Sequence, residues 1–491
     1  MNSPDANNPP GLALLAICAS LSGVADPVSD WNEAARAAIR ADRTNPPQAT
    51  RRLAMLHLAV YDAVNGIQRT HRPYHVQEMA PAGASLEAAV SAAAYEILAQ
   101  VFPSSGIQTT NFGALYTDLV SALPDGRAKD DGLQWGRGVA SAILALRARD
   151  GSTDVVAYTP GTAPGEWRPT PPANAPALLP GWGRVTPFAM TSSRQFEPYA
   201  PAPLTSSGCA FEVNLLKAYG AATGSLRSAD QSQIAEFWAN GAGTETPPGH
   251  WNRIALLVAA ERNLGLTEKA RLLALVNLAL ADAAISCWET KYAFNLWRPV
   301  TAIREADTDN NPETTADPNW SSFIVTPPFP EYTSGHSTFS RAAATVLAAF
   351  YGTDAIPFRV GADGLPGVTR SYPGFGAAAD ESGISRIYGG IHFPSANIAG
   401  QTTGHLLGKH VVEHFLVPIE APAFVLVAPT GTEVRVTLTG EPGRVYALEA
   451  GADLVRWIQI GTATANAAGE AEFVDPGATS SERRFYRAVA R

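Results

Sequence analysis

The segment that most constrains the fold is a long helical pattern in the second half of the chain, TEKARLLALVNLALADAAISCWETKYAFNLW, residues 267–297. Apolar side chains cover almost every face of this predicted helix, so other elements must surround it. A helix of this kind is typical of the centre of a helical bundle. No run in the chain approaches about 18 consecutive apolar residues, and we therefore expect no membrane-spanning helix.

Other helical patterns surround this segment along most of the chain. Amphipathic spacing predicts consecutive helices from Asp30 to about Gly151, and later helices after Gly335 and after Ser395. Residues 151–207 are rich in Pro, Gly, Thr and Ser and are too long for an ordinary connection. We interpret them as a functional surface loop or as a segment that covers other elements.

The pattern changes near Pro418, where alternation of apolar and polar residues replaces the helical spacing. Five short alternating segments follow, separated by Gly, Asn, Asp and Pro, and they predict a small antiparallel β module. We therefore predict a mainly α protein, a helical bundle with a C-terminal antiparallel β module. The predicted division is 1–28 as a signal peptide or N-terminal arm, 29–417 as the helical domain and 418–491 as the β domain.

Composition excludes several classes of protein. With 36 Lys and Arg against 45 Asp and Glu, the net charge is −9, whereas nucleic-acid binders usually carry a basic surplus. The 3 cysteines lie too far apart in sequence for a zinc motif or a disulfide framework. Any anion site in this chain must therefore be a local cluster of cations in an acidic background.

The N-terminus allows two interpretations. The segment GLALLAICASLSGVAD is an apolar run followed by small residues, as in a secretory signal cleaved after Ala25. The preceding MNSPDANNPP lacks the basic residues of such a signal, which favours an N-terminal arm instead. We expect the first, an exported protein that is periplasmic or secreted; on the second interpretation the protein would be cytoplasmic.

Three short motifs carry the chemistry, and the first lies at the end of the long helix, in KYAFNLWRP. Lys291 and Arg298 are close to two helical turns apart, so we expect both to project from one face. Pro299 then closes the predicted helix, since it cannot donate a hydrogen bond and clashes with the preceding turn. Cations at a helix end also suit the negative end of the helix dipole, which is the purely structural interpretation.

The second motif is Ser334, Gly335 and His336 at the start of a predicted helix. The first N–H groups of a helix lack partners and the dipole is positive there, so this turn is suited to hold an anion. The third motif places Arg386 late in a helix that two glycines must break, with His392 just after the break. A chain reversal at this point can aim both side chains at one place.

Taken in order, Lys-x6-Arg-Pro, Ser-Gly-His and Ser-Arg-x5-His resemble the signature of the vanadium-dependent haloperoxidase and acid-phosphatase superfamily, in its bacterial, chloroperoxidase-like branch. The resemblance runs from Ser29 to Phe415 and is concentrated in 288–404. It implies the helical-bundle fold of that superfamily and a pocket for a tetrahedral oxyanion, vanadate in the peroxidases and phosphate in the phosphatases. The residues implied to bind it are Lys291, Arg298, Ser334, Gly335, Arg386 and His392.

The resemblance also implies a role for each catalytic residue. His392 would bind vanadium through a ring nitrogen, His336 would be the acid–base partner at the apical oxygen, and Lys291 would polarise the peroxide. Vanadate is then the cofactor, and hydrogen peroxide, a halide and a small organic molecule are the substrates of a homodimeric enzyme. A phosphatase would use the same pocket through a phosphohistidine, and this alternative stays open.

Two aromatic residues favour halide oxidation over phosphoryl transfer. Trp288 and Phe329 match, by resemblance, the wall of the halide pocket in chloroperoxidase-type members. A dry aromatic wall suits a weakly hydrated halide, because aromatic edges carry positive potential. The alternative is that both rings are ordinary core residues. Thr333 stands where phosphatases usually carry proline, a position at which haloperoxidases vary.

One departure from the family pattern concerns the orientation of His392. Family members often carry Asp four residues after this histidine, where this chain has Ala396. A carboxylate there would orient the ring and raise its basicity. In place of this Asp, we expect either Asn397, as a weak replacement, or a carboxylate from elsewhere in the chain, such as Asp230 or Glu236. The loss also leaves open a third hypothesis, a weakly active or inactive homologue whose β module mediates attachment.

Overall fold

A computed structural model describes residues 26–103, 106–419, 422–430, 433–478 and 483–490. The predicted N-terminal segment 1–28 lies almost entirely outside the described residues. In the described part of the chain, the helices are α1 Pro27–Ala41, α2 Pro46–Gln68, α3 Leu86–Val101, α4 Gly106–Ser121, α5 Arg127–Arg147, α6 Ser207–Tyr219, α7 Ala229–Phe237, α8 Thr246–Glu261, α9 Leu266–Phe294, α10 Pro299–Arg304, α11 Gly335–Tyr351, α12 Phe375–Tyr388 and α13 Pro394–His414. The mainly α fold predicted from the sequence is confirmed.

Helix α9 is the central helix of the bundle and packs against α2, α8, α11 and α13. Its side chains are buried along nearly the whole length, as the all-round apolar pattern predicts. Among the described helices, α9 is the one that length and composition would allow to cross a membrane, and 94% of its most apolar 18-residue window is buried inside the fold. Such burial is typical of a core helix.

The C-terminal end of α9 differs from the prediction. The helix ends at Phe294, and Asn295 adopts a left-handed conformation, φ 50°, whose N–H caps the carbonyl of Lys291. Arg298 therefore does not share a helix face with Lys291. It is the N-cap of α10, and Pro299 begins that helix, a position where its missing N–H costs nothing. The two cations reach the same region from two different helices.

Helices α11 and α13 pack unusually closely because α13 carries a stripe of glycines at every fourth position. The stripe consists of Gly400, Gly404 and Gly408. A Cβ atom at Gly404 would lie 2.4 Å from the backbone oxygen of Thr338 in α11, and both neighbouring glycines face α11 in the same way. The contact brings the first turns of the two helices side by side, because both helices begin at the same end of this pair.

The strands in the described part of the chain are β1 Phe358–Gly361, β2 Thr369–Tyr372, β3 Ala423–Thr430, β4 Glu433–Thr439, β5 Val445–Gly451, β6 Ile458–Thr464, β7 Glu470–Asp475 and β8 Phe485–Ala490. The first two form a hairpin inside the helical region, and the other six form two antiparallel sheets, ordered β3-β4-β7 and β6-β5-β8. The sequence predicts five of these six. It misses β3, which contains Pro429 and lies at a sheet edge, where proline is tolerated.

The segment between α5 and α6, residues 148–206, has almost no regular secondary structure and covers the C-terminal half of α9. Asp282 of α9 accepts hydrogen bonds of 2.7, 2.7 and 2.6 Å from the backbone N–H groups of residues 188–190. Further along, the indole N–H of Trp288 donates to the carbonyl of Leu178 at 3.2 Å. These contacts agree with the interpretation of this region as a segment that covers other elements.

Replacing Gly404 with alanine should destabilise the fold. The added methyl group would clash with the backbone of α11, and overpacking of this kind costs about 1–3 kcal/mol of unfolding free energy. Gly138 in α5 is the matched control, because a Cβ there meets nothing within 4 Å and Ala is the better helix former by about 1 kcal/mol. Thermal unfolding of Gly404→Ala and Gly138→Ala measures both. Equal melting temperatures for the two variants would contradict the close packing of α11 on α13.

Candidate active site

The three sequence motifs meet in one buried region, where α9, α11 and α12 contribute their ends. The contact that joins the first motif to the third is between Arg298 and His392, whose Nη1 and Nε2 atoms lie 3.2 Å apart. The same guanidinium donates to the backbone carbonyls of Phe329 at 2.7 Å and Ile391 at 2.9 Å. Arg298 is completely buried, so its position is set by these contacts.

Lys291 lies in the last turn of α9 and is completely buried. Its ammonium group donates to three backbone carbonyls, those of Pro330 at 3.1 Å, Glu331 at 2.9 Å and Thr333. Burial lowers the pKa of Lys291 to about 8, because an ammonium loses its hydration in the interior. The segment before α11 is thus tied to the end of α9 by a single cation.

Helix α11 begins at Gly335, with Ser334 as its N-cap. The hydroxyl of Ser334 accepts from the N–H of Ser337 at 3.3 Å, which is the expected capping contact. Two bonds then connect this turn to α13: the N–H of Ser334 donates to the carbonyl of Ala396 at 3.0 Å, and the hydroxyl of Ser337 donates to Oδ1 of Asn397 at 2.7 Å. The start of α11 is therefore fixed against the first turn of α13.

Arg386 and His336 complete the cluster. Arg386 lies in the last turn of α12, and its Nη1 donates to the backbone carbonyl of Trp238 at 3.2 Å. Burial, and then the charge of Arg298, lowers the pKa of Arg386 to about 9. Burial and the charge of Arg386 hold the pKa of His336 well below its usual value. The imidazole of His336 is therefore neutral in this electropositive environment.

Several buried polar atoms of these residues have no hydrogen-bond partner among the described residues. They include Nη2 of Arg298, Nε of Arg386 and Nε2 of His336. Buried polar groups are usually paired, so unpaired donors on converging side chains are suited to bind a ligand. Two of the three are cationic donors, and burial lowers the pKa of Arg298 to about 10. An oxyanion would supply acceptors and negative charge to these donors.

Sequence reasoning assigned no role to Glu331, although the structure places its side chain against His392. Its Oε1 lies 2.8 Å from Nδ1 of the imidazole and accepts the N–H of Phe393 at 2.9 Å, while Oε2 is buried without a partner. Burial raises the pKa of Glu331 to about 7, against the opposing charges of the nearby cations. One signal was available: Glu331 is the only acid in the stretch from Pro330 to Gly352.

The carboxylates that the sequence suggested as substitutes are not at the histidine. Asp230 forms an ion pair of 2.9 Å with Arg370, and Glu236 is exposed on α7. Asn397 accepts from Ser337 instead of contacting the imidazole. The expectation of Asp230 or Glu236 was wrong because the nearby carboxylate comes from the segment before α11, which sequence spacing does not bring near α13.

Trp288 and Phe329 lie beside the cations. Their ring centroids are 4.9 Å apart, and Nζ of Lys291 is 5.0 Å from the centroid of Phe329. Both rings are buried, as core residues would be, yet they also form an apolar surface next to the ammonium group. The geometry is compatible with both interpretations made from the sequence, a halide wall and ordinary packing.

Comparisons with known proteins point to one family. The profile of the VCPO second helical-bundle domain matches residues 271–420, which include the three motifs. Vanadium chloroperoxidase from Curvularia inaequalis is 28% identical over 381 residues, which cover 63% of this chain and 62% of that protein. The chain thus spans less than two thirds of the length of this curated relative.

Two solved structures extend the likeness to about three quarters or more of the chain. A holo-type bacterial vanadium-dependent chloroperoxidase shares the fold, with a TM-score of 0.61 at 18% identity, covering 76% of this chain and 92% of that one. The crystal structure described as the first bacterial vanadium-dependent iodoperoxidase has a TM-score of 0.69 at 30% identity, covering 80% of this chain and 97% of that one. With the three motifs meeting in one electropositive pocket, these likenesses place the chain in the vanadium-dependent haloperoxidase family.

Proposed function

We propose that this chain is a haloperoxidase that uses hydrogen peroxide to oxidise halide ions to hypohalous acid, with vanadate as its cofactor at His392. The observation that carries the proposal is the convergence of Lys291, Arg298 and Arg386 on two histidines, with buried donors left unpaired. A tetrahedral oxyanion needs several donors around its oxygens, and this pocket offers them without a neutralising partner for each. Membership of the family adds the identity of the oxyanion.

The residues fit vanadate by type and position. When bound, vanadate supplies a Lewis acid that activates peroxide without a change in the oxidation state of the metal. His392 would hold it through Nε2, whose lone pair faces Arg298. Arg298 and Arg386 would donate to its oxygens through their unpaired nitrogens, and Ser334 and the N–H of Gly335 would add neutral donors at the start of α11.

His336 would move the proton of the reaction. Its Nε2 is sheltered and without a partner among the described residues, so it can take a proton from peroxide and return it to the departing oxygen. Its position in the first turn of α11 places it beside Ser334 and Gly335, the neutral donors named above. A general base needs both this proximity and a free nitrogen.

Lys291 would act through its charge. Its three N–H donors are directed to backbone carbonyls, so it approaches the pocket as a fixed positive charge next to the aromatic rings of Trp288 and Phe329. Next to this water-poor wall, the charge of Lys291 interacts more strongly with nearby groups, because electrostatic interactions grow as the local dielectric constant falls. The same wall would hold the halide during its attack.

The hypohalous acid would halogenate a small organic molecule. The enzyme would be a homodimer and would be exported to the periplasm or the medium.

Protein purified without phosphate should become a halogenating enzyme when orthovanadate is added. With hydrogen peroxide and iodide, bromide or chloride, a halogenation dye should report turnover that His392→Ala reduces by roughly 100-fold or more, because the residue that holds the cofactor is lost. His405→Ala, at an exposed position of α13, should keep the wild-type rate. Hydrolysis of a chromogenic phosphomonoester without halogenation would instead make the protein a phosphatase with a phosphohistidine intermediate.

Arg386→Met should weaken the binding of orthovanadate by about 10- to 100-fold. Charge-assisted hydrogen bonds contribute about 1.5–3 kcal/mol, and each 1.4 kcal/mol is about tenfold in affinity. Isothermal titration measures the dissociation constant directly. The exposed Arg359 of β1 offers a matched control, and Arg359→Met should bind vanadate like the wild type. Equal affinities for both variants would show that Arg386 does not bind the oxyanion.

Phe329→His should lower the activity with chloride relative to iodide, by about tenfold, equivalent to ~1.4 kcal/mol. A polar ring admits water beside Lys291 and weakens its field, and chloride, the halide hardest to oxidise, depends on that field most. The ratio of kcat/KM values for the two halides is the measurement. Phe211→His, at an exposed position of α6, should leave the ratio unchanged. An unchanged ratio in Phe329→His would show that Phe329 is an ordinary core residue and not part of a halide pocket.

A further inference from the structure

The orientation of the His392 ring is set by a contact from outside its own segment. Nδ1 lies 2.8 Å from Oε1 of Glu331, and the same oxygen accepts the N–H of Phe393 at 2.9 Å. On the other side of the ring, Nε2 lies 3.2 Å from Nη1 of Arg298. A guanidinium can only donate, so the network assigns the proton to Nδ1 and the lone pair to Nε2.

The main chain of Glu331 is held by hydrogen bonds on both sides. Its N–H donates to the carbonyl of Leu296 at 2.9 Å, and its own carbonyl accepts from Lys291 at 2.9 Å. Its side chain has no exposed surface. One carboxylate oxygen held in this way restrains both the imidazole and the main chain that follows it.

A simpler role for this carboxylate would be to neutralise the buried cations. In the part of the chain that the structure describes, however, its hydrogen bonds and its ion pair go to His392 and Phe393, and none goes to Lys291 or Arg298. Lys291 uses backbone carbonyls instead. The carboxylate is therefore placed for the imidazole.

The helix that follows His392 offers no alternative partner at the position where the family pattern suggested one. Ala396 is completely buried in a small apolar cluster with Tyr332 and Ala399. Its polar contribution is the backbone carbonyl, which accepts from Ser334 at 3.0 Å. The carboxyl group that contacts the His392 ring therefore comes from Glu331, in the segment before α11.

We propose that Glu331 is the positioning residue of His392: it fixes the Nδ1–H tautomer and aims the lone pair of Nε2 into the oxyanion pocket. A hydrogen bond from the second ring nitrogen is the usual device for orienting a histidine that holds a metal. The identity of the oxyanion rests on the proposed function, whereas the tautomer does not depend on it.

Two variants of Glu331 separate its charge from its acceptor. Glu331→Gln keeps the shape and an acceptor oxygen, and Glu331→Met removes the acceptor at similar volume. Nitrogen-15 NMR of labelled histidine side chains, recorded without vanadate, should show His392 as the Nδ1–H tautomer in the wild type and as the Nε2–H tautomer or a mixture in Glu331→Met. The dissociation constant for orthovanadate should rise by about 10- to 100-fold in Glu331→Met and by less in Glu331→Gln.

Glu212 provides a matched control. Its carboxylate accepts from the N–H and the hydroxyl of Ser395 at 2.6 and 2.8 Å, so it also holds the first turn of α13, but it does not contact the imidazole. Glu212→Gln should lower the melting temperature while leaving the His392 tautomer and the vanadate affinity as in the wild type. This pattern distinguishes positioning of the ring from general support of the helix.

Two results would overturn the proposal: an unchanged tautomer together with unchanged vanadate affinity in Glu331→Met, or an equal loss of affinity in Glu212→Gln. If Glu331→Gln alone folds, its amide oxygen, still held by the N–H of Phe393, should keep the Nδ1–H tautomer, and an Nε2–H tautomer together with unchanged vanadate affinity would overturn the proposal. A wild-type protein that binds no vanadate but shows the tautomer change in Glu331→Met would support the positioning role and contradict only the proposed function.

Discussion

The close contact between α11 and α13 is the interaction on which the pocket depends. Glycines of α13 lie against the backbone of α11, and the N–H of Ser334 donates to the carbonyl of Ala396 at 3.0 Å. Ser334 and His336 lie at the start of α11, and His392 lies just before α13. The spacing of these two helices therefore sets the spacing of the two histidines, and tightly packed elements hold such a distance better than loops would.

Burying three cations in one region is costly, because each loses several kcal/mol of hydration free energy. Backbone carbonyls recover part of that cost, for example those of Phe329 and Ile391 at Arg298. The remainder shows as lowered pKa values for Lys291, Arg298 and Arg386 and as donors without partners. The folded chain thus holds positive charge in this pocket, and an oxyanion bound there would meet donors that are already in place.

The pocket motifs could be recognised from the sequence because each one is short and lies at a helix end. The central helix could be predicted because its apolar pattern is continuous. Its end could not, since apolar residues continue past Phe294, and only the left-handed conformation of Asn295 stops the helix. The contact between Glu331 and His392 joins residues 61 positions apart, and no local pattern encodes it. Strand β3 was missed because its sequence, AFVLVAPT, is a nearly continuous apolar run that contains proline and does not alternate.

The carbonyl of Leu178 accepts hydrogen bonds from Trp288 at 3.2 Å and from Tyr292 at 2.7 Å. Because the main chain makes this contact, almost any side chain at position 178 preserves it, whereas a change in the length of the segment 148–206 displaces it. Irregular surface segments accept insertions and deletions more readily than helices do. Evolution can therefore reshape the aromatic side of the pocket through the length of this segment, without replacing Trp288 or the cationic residues of the pocket.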